Sequence, residues 1–206
     1  MLHVLLFCET FLLVSSAIVI ACLVFDHRRL MTQLTIDPLM QIGSRALFEQ
    51  VYPTTIAHAC RTREALTLLF IDLNDLKLLN SLYGHPGADR ILCALGGVVA
   101  KSVRSSDIVC RIGGDECVAI LPNTTAEQAN VLVERIREAV RNERVLMANG
   151  DVATFGVSIG GASLVHPSDR HGKTTEAAQE LLDRANRLML AAKLLKGSVE
   201  NPILFQ

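Results

Sequence analysis

Arg111-Ile112-Gly113-Gly114-Asp115-Glu116-Cys117 stands between two apolar runs, Ile108-Val109-Cys110 before it and Val118-Ala119-Ile120-Leu121 after it. Two strand-like runs joined through a Gly-Gly pair predict a tight β-hairpin. Glycines at such a turn are expected to supply positive φ. Asp115 and Glu116 follow the glycines directly, so the tip can bring a metal ion and a phosphate close to the backbone. With Gly113-Gly114 as a two-residue loop, Cys110 and Cys117 face each other across the hairpin, near disulfide range. Two buried thiols are the preferred state in a reducing compartment.

The elements around the hairpin follow from periodicity. Leu66-Thr67-Leu68-Leu69-Phe70-Ile71 is a continuous apolar run closing on Asp72, as a buried strand does. Leu76 to Tyr83 is helical with Asn74 as its expected N-cap, and Pro86 opens a longer helix to Val103. Ala126 to Val140 is an amphipathic helix capped by Thr124 or Thr125. Phe155 to Gly160 alternates apolar with small residues as a strand, His166 to Lys173 is a polar loop, and Thr175 to Leu195 is a final helix. Val199 to Phe205 is expected to close the sheet at an edge, where Pro202 is tolerated. The order β-α-α-β-β-α-β-α-β predicts an α/β (α+β) sandwich, with helices packed on a largely antiparallel sheet.

The N-terminus reads differently. Val4 to Phe25 is almost wholly apolar, long enough to span a bilayer as a helix of about 20 residues. Asp26-His27-Arg28-Arg29 follows, which places that end on the cytoplasmic side. A cleaved signal peptide fits less well, because no basic segment precedes the run and no small-x-small site follows it. The expected organisation is a transmembrane anchor over residues 1–25, a short helical linker over 26–36 and a folded domain over 37–206. The expected location is the inner, cytoplasmic membrane, single-pass, with the domain in the cytoplasm.

Lys plus Arg number 20 against 21 Asp plus Glu, and Trp is absent, so neither a basic surface nor a set of stacking platforms points to nucleic acid. None of the six cysteines forms a CxxC pair, which removes zinc-ribbon and thioredoxin-like classes.

If the 66–71 strand is central and the hairpin lies beside it, Asp72 and Asp115 reach the same end of the sheet. Two carboxylates held close repel unless a cation sits between them. Magnesium with nucleotide phosphates suits one or two such carboxylates. The free N–H groups opening the Leu76 helix favour an anion there, and Lys77 adds positive charge.

The blocks Asp37-Pro38-Leu39, Phe70-Ile71-Asp72-Leu73-Asn74-Asp75-Leu76-Lys77 with Asn80, Gly84-His85 with Asp89, Arg111 to Glu116, Val157-Ser158-Ile159-Gly160 and Ala191-Ala192-Lys193 together resemble the GGDEF-domain diguanylate cyclases. The resemblance covers about Asp37 to Leu195 and implies a ferredoxin-like, nucleotide-cyclase-like fold. It implies that Asp72, the Leu73 carbonyl and Asp115 hold Mg2+ or Mn2+, two ions per active site, with Glu116 as a further ligand. It also implies that Asn80 and Asp89 bond the guanine edge, His85 lines the nucleotide site, Lys77 and Lys193 meet phosphate, and Asp115 helps remove the 3′-OH proton. Two copies, each with one GTP, would face each other and release cyclic di-GMP and two pyrophosphates, so a homodimer is required. Arg104-Ser105-Ser106-Asp107 resembles the family's RxxD product-inhibition site, which binds cyclic di-GMP.

The chain departs from the family pattern at several points. Cys117 stands for an aromatic residue, Asn74 for an Asp, Ser81 for an Asp, Ala88 for a Gly and Leu190 for a Tyr. Met40-Gln41-Ile42-Gly43-Ser44-Arg45 replaces Thr-Gly-Leu-x-Asn-Arg, and the Arg expected after Lys193 is not matched. Two alternatives therefore stand beside the cyclase: a degenerate domain that binds GTP or cyclic di-GMP to regulate a partner, and a membrane-tethered dimerisation module without activity.

Overall fold

Eight residues of central strand, Leu66–Leu73, are buried along their whole length, and everything else is arranged around them. This strand, β1, pairs antiparallel with β3 (Glu116–Pro122) on one side and with β6 (Val157–Ser163) on the other. Strand β2 (Ile108–Arg111) lies outside β3, and β7 (Leu204–Phe205) runs parallel to β6, giving the order β2-β3-β1-β6-β7. The computed structural model describes residues 18, 20, 35–164, 174–194 and 204–205. The chain divides into two units, Met1–Thr35 and Ile36–Gln206. Of the Val4–Phe25 run only Ile18 and Ile20 are described, both helical, so the expected anchor and most of the linker lie outside the described residues. Among the described residues no helix is long and apolar enough to cross a membrane. The 166–173 loop likewise lies outside them.

Side chains alternate across β1, and each face is covered by a helix pair. Leu69, Ile71 and Leu73 pack with Ile91 and Leu95 of α2 (Leu76–Ser102) and with Val133 and Ile136 of α3 (Ala126–Asn142). Leu66, Leu68 and Phe70 pack with Phe48, Tyr52 and Ile56 of α1 (Arg45–Thr62) and with Leu181, Ala185 and Met189 of α4 (Thr174–Leu194). The largely antiparallel α/β sandwich matches expectation. Helix α1 leaves little trace in the sequence: Pro53 interrupts its pattern, and its buried stripe is only Phe48, Tyr52, Ile56 and Ala59. A short hairpin of two-residue strands, β4 (Val145–Leu146) with β5 (Val152–Ala153), is also additional.

Local signals explain the boundaries. Thr125 caps α3 with a full capping box, its hydroxyl taking the Gln128 N–H while the Gln128 side chain takes the Thr125 N–H. The two helices expected on either side of Gly84-His85 run as one interrupted element, α2, broken where Gly84 adopts φ 68° and ψ 173°. At Gly160 an added Cβ would lie 2.0 Å from the Met189 backbone nitrogen, so only glycine lets α4 lie this close to the sheet. That contact fixes the height of the helix that carries Lys193.

Candidate functional site

The hairpin register sets the site. β2 and β3 pair Arg111 with Cys117 and Cys110 with Val118, which leaves Gly113-Gly114-Asp115 as a three-residue loop. This is one residue longer than expected. A one-residue slip turns a side chain to the other face of a sheet. Cys110 accordingly belongs to the core under α1 and α4, and Cys117 to the core over α2 and α3. The cross-hairpin pairing of the two cysteines is therefore excluded by geometry. Both thiols are free and buried, and burial pushes them up, to about 11 for Cys110 and about 12 for Cys117.

The turn glycines serve space rather than backbone sign. The only described glycines at positive φ are Gly84 and Gly150. A Cβ at Gly113 would lie 2.5 Å from a carboxylate oxygen of Glu116, whereas one at Gly114 would meet nothing within 4 Å. Gly113 thus makes room for the Glu116 carboxylate, and Gly114 leaves open space above the turn. Arg111 braces this tip: its Nε donates to the Gly113 and Gly114 carbonyls, and its Nη2 donates to the Gly114 carbonyl at 2.6 Å. Its Nη1 also grips both carboxylate oxygens of Asp37 at 3.1 Å.

Asp72, Glu116 and Ser158 form one row across three strands, with Asp72 in the middle. Asp115 joins through its backbone, its carbonyl accepting the Leu73 N–H at 3.1 Å. Lys193 descends from α4 and places Nζ 2.8 Å from Asp72 Oδ1, with the Asp72 side chain only 3% exposed. Burial, then the charges of Asp72 and Asp115, raise the Glu116 carboxyl above its ordinary range, with Lys193 acting against them. Burial opposes the charge on Lys193, but the hydrogen bond and charge of Asp72, with Asp115 and Glu116, prevail and raise it. Asp72, Leu73, Asp115, Glu116 and Lys193, predicted from separate stretches of sequence, thus gather at one end of the sheet.

The possible metal donors among them, the carboxylates of Asp72, Asp115 and Glu116 and the Leu73 carbonyl, are all oxygen, which suits a hard divalent ion. Among the described residues no group of three or more His, Cys, Asp or Glu side chains closes on one point to hold a metal. An ion held here would have to complete its sphere from backbone carbonyl or from a ligand's phosphates, as magnesium commonly does.

The remaining predicted residues line α2. Lys77 is exposed in its first turn, Asn80 is half-buried, His85 is exposed beside the Gly84 break, and Asp89 is exposed beyond it. Asn74 does not cap the helix. The N-cap is Asp75, in the left-handed region at φ 59°. Asn74 instead ties two strands together, accepting from the Ser158 hydroxyl at 2.7 Å and donating its N–H to the Gly156 carbonyl.

Arg104 and Asp107 close a turn in which an Asp107 oxygen takes the Arg104 N–H at 2.8 Å. Both line a pocket with Leu121, Gln128, Val131 and Arg135. The sequence assigned no role to Arg135, nor to Arg111 and Asp37 beyond their place in the motifs. Its placement on α3 opposite the Arg104 turn needs the helix packing to be seen.

Residues 34–198 match the family model described as "Diguanylate cyclase, GGDEF domain". Diguanylate cyclase DosC of Escherichia coli K12 is 34% identical over 152 residues, 73% of this chain and 33% of that protein. The chain spans less than half the length of the curated relatives it matches. The FimX GGDEF domain of Pseudomonas aeruginosa superposes with a TM-score of 0.72 at 26% identity, over 84% of this chain and 99% of that one. The coiled coil and GGDEF domain of DgcB from Caulobacter crescentus, in complex with c-di-GMP, shares the fold at a TM-score of 0.81 and 20% identity, over 94% and 97% of the two chains.

Proposed function

The chain belongs to the GGDEF diguanylate cyclase family, and on that footing we propose that it condenses two GTP molecules into cyclic di-GMP, one GTP held by each of two facing copies. The observation that carries the proposal is the row of Asp72 between Glu116 and Ser158, with Asp115 and Lys193 at the same sheet end.

Asp72, the Leu73 carbonyl, Asp115 and Glu116 would hold a divalent ion, magnesium or manganese. Bound there, it supplies charge neutralisation for the triphosphate. The open space over Gly114 admits a phosphate close to the turn. Lys77 and the first N–H groups of α2 face anionic charge. Asn80 offers a donor and an acceptor and Asp89 an acceptor, which matches the guanine edge, and His85 borders the same site. An Asp115 carboxylate oxygen takes the proton from the 3′-hydroxyl as the hydroxyl oxygen bonds to the α-phosphorus of the GTP on the facing copy, breaking its α–β phosphoanhydride bond and releasing pyrophosphate. Arg104, with Asp107 and Arg135 around the same pocket, would bind the product and restrain turnover, because guanidinium groups clamp phosphate and stack on bases. The Val4–Phe25 run would anchor the protein in the membrane with this domain on the cytoplasmic side.

The test is conversion of GTP by the purified full chain with magnesium or manganese, read by chromatography. Cyclic di-GMP is expected, lost in Asp115→Ala. Arg104→Ala should keep turning over at product concentrations that silence the wild type. GTP binding without product at any protein concentration would replace this proposal with a regulatory binding domain.

A further inference from the structure

We propose that Lys193 and the divalent ion exchange at Asp72, the ammonium holding the carboxylate when no metal is bound and moving to substrate phosphate when the metal binds. This rests on the reading of Asp72 as a metal ligand. The Asp72 side chain is 3% exposed at the end of the central strand, and its Oδ1 lies 2.8 Å from Lys193 Nζ. A carboxylate at that depth needs a cation beside it, because burying an uncompensated charge is costly. Glu116, its register partner, and Asp115 in the adjoining turn add to the negative charge.

Lys193 is suited to leave. Its side chain is 39% exposed, and it sits one residue before the end of α4 at Leu194. Its ammonium is a compact charge on a flexible four-carbon stem. The backbone beneath it is held where Met189 rests on Gly160, so the head group can swing while the helix stays. An ion that takes Asp72 Oδ1 competes with the ammonium already 2.8 Å from that oxygen, because the two positive charges repel at such short range. Metal binding therefore frees an ammonium at the place where phosphates arrive.

The consequence is a change of sign. Without nucleotide, Lys193 competes with the metal; with nucleotide, it supports the metal–phosphate complex. The test uses the full chain and Mn2+ titration followed by electron paramagnetic resonance, which counts free ion. Without nucleotide, Lys193→Met and Lys193→Gln should bind Mn2+ about two- to fivefold more tightly than wild type, as expected for loss of a partly exposed ion pair, and Lys193→Arg should match wild type. With a non-hydrolysable GTP analogue the order should reverse, the neutral variants holding Mn2+ less tightly. Equal or weaker nucleotide-free binding by both neutral variants would overturn the exchange alone. Mn2+ binding undiminished in Asp72→Asn would overturn the exchange and the metal site together.

Discussion

Arg111 reaches back 74 residues to Asp37 and holds both of its carboxylate oxygens while the same guanidinium holds the carbonyls of the glycine turn. Asp37 is fixed in turn by the N–H groups of Leu39 and Met40. One planar group therefore joins the segment leading into the domain to the tip that carries Asp115. The pair is mostly buried, at 18% and 16% side-chain exposure, so removing one partner strands the other. Arg111→Ala should cost about 3 kcal/mol in denaturant unfolding, and the double variant with Asp37→Ala should cost less than the sum of the two single changes. Lysine at 111 cannot supply the fork and should recover only part.

Met40 and Cys117 should behave as a packing pair. The Cys117 thiol lies 3.8 Å from the Met40 sulfur, and Met40, 1% exposed, is pressed against Gly96, where an added Cβ would lie 2.3 Å from the Met40 carbonyl. Met40, bulky where the family pattern has Thr, thus packs directly against Cys117, small where that pattern has an aromatic residue. Cys117→Phe alone should lower stability by about 1–3 kcal/mol through overpacking. Adding Met40→Thr should return most of that loss, read as thermal midpoints of the three variants.

The two turn glycines should separate stability from chemistry. Gly113→Ala pushes against the Glu116 carboxylate, and a displacement of about 1 Å at a reacting site can cost on the order of a hundredfold in rate. Gly114→Ala meets no protein atom within 4 Å. Its stability should stay within about 0.5 kcal/mol of wild type, while its affinity for GTP falls if phosphate occupies that space. Paired melting curves and nucleotide titrations check both.

Glu116 makes a pH prediction for the metal-free protein. Burial and the neighbouring Asp72 and Asp115 raise its carboxyl in the folded state. The folded state then binds more proton than the unfolded one between the two pKa values, so this group's contribution to stability falls as pH rises through that window. Glu116→Gln should therefore raise the melting temperature at pH 7 in the presence of chelator. The gain should vanish below the ordinary glutamate pKa of about 4.3.

Residues whose partners are close in sequence, or whose burial is complete, were legible from the chain. Leu66 to Ile71 reads as a buried strand because it is apolar on both faces and the run stops at the acid Asp72, although the strand itself continues through Asp72 to Leu73. The cap of the 126–140 helix narrows to Thr124 or Thr125 from the sequence, and the Gln128 side chain decides for Thr125. What was hidden depends on register or on distance along the chain. The extra loop residue, Asp115, leaves no mark on composition, yet it sends Cys110 and Cys117 to opposite cores. Asn74 looks like a cap until Ser158 is brought beside it, 84 residues later. Helix α1 was obscured because Pro53 sits within it and few of its residues are buried.

The loop before α1 leans on the outer edge of the sheet: Gly43 donates to the Val109 carbonyl and accepts the Arg111 N–H, and an added Cβ there would strike the Cys110 sulfur at 2.6 Å. A polypeptide begun at the first helix would leave that edge open for another chain to add itself as a strand, and would strip Arg111 of its carboxylate. The smallest piece that folds cleanly therefore starts ahead of Asp37, and trimming to the helix should yield a protein that self-associates through its exposed border.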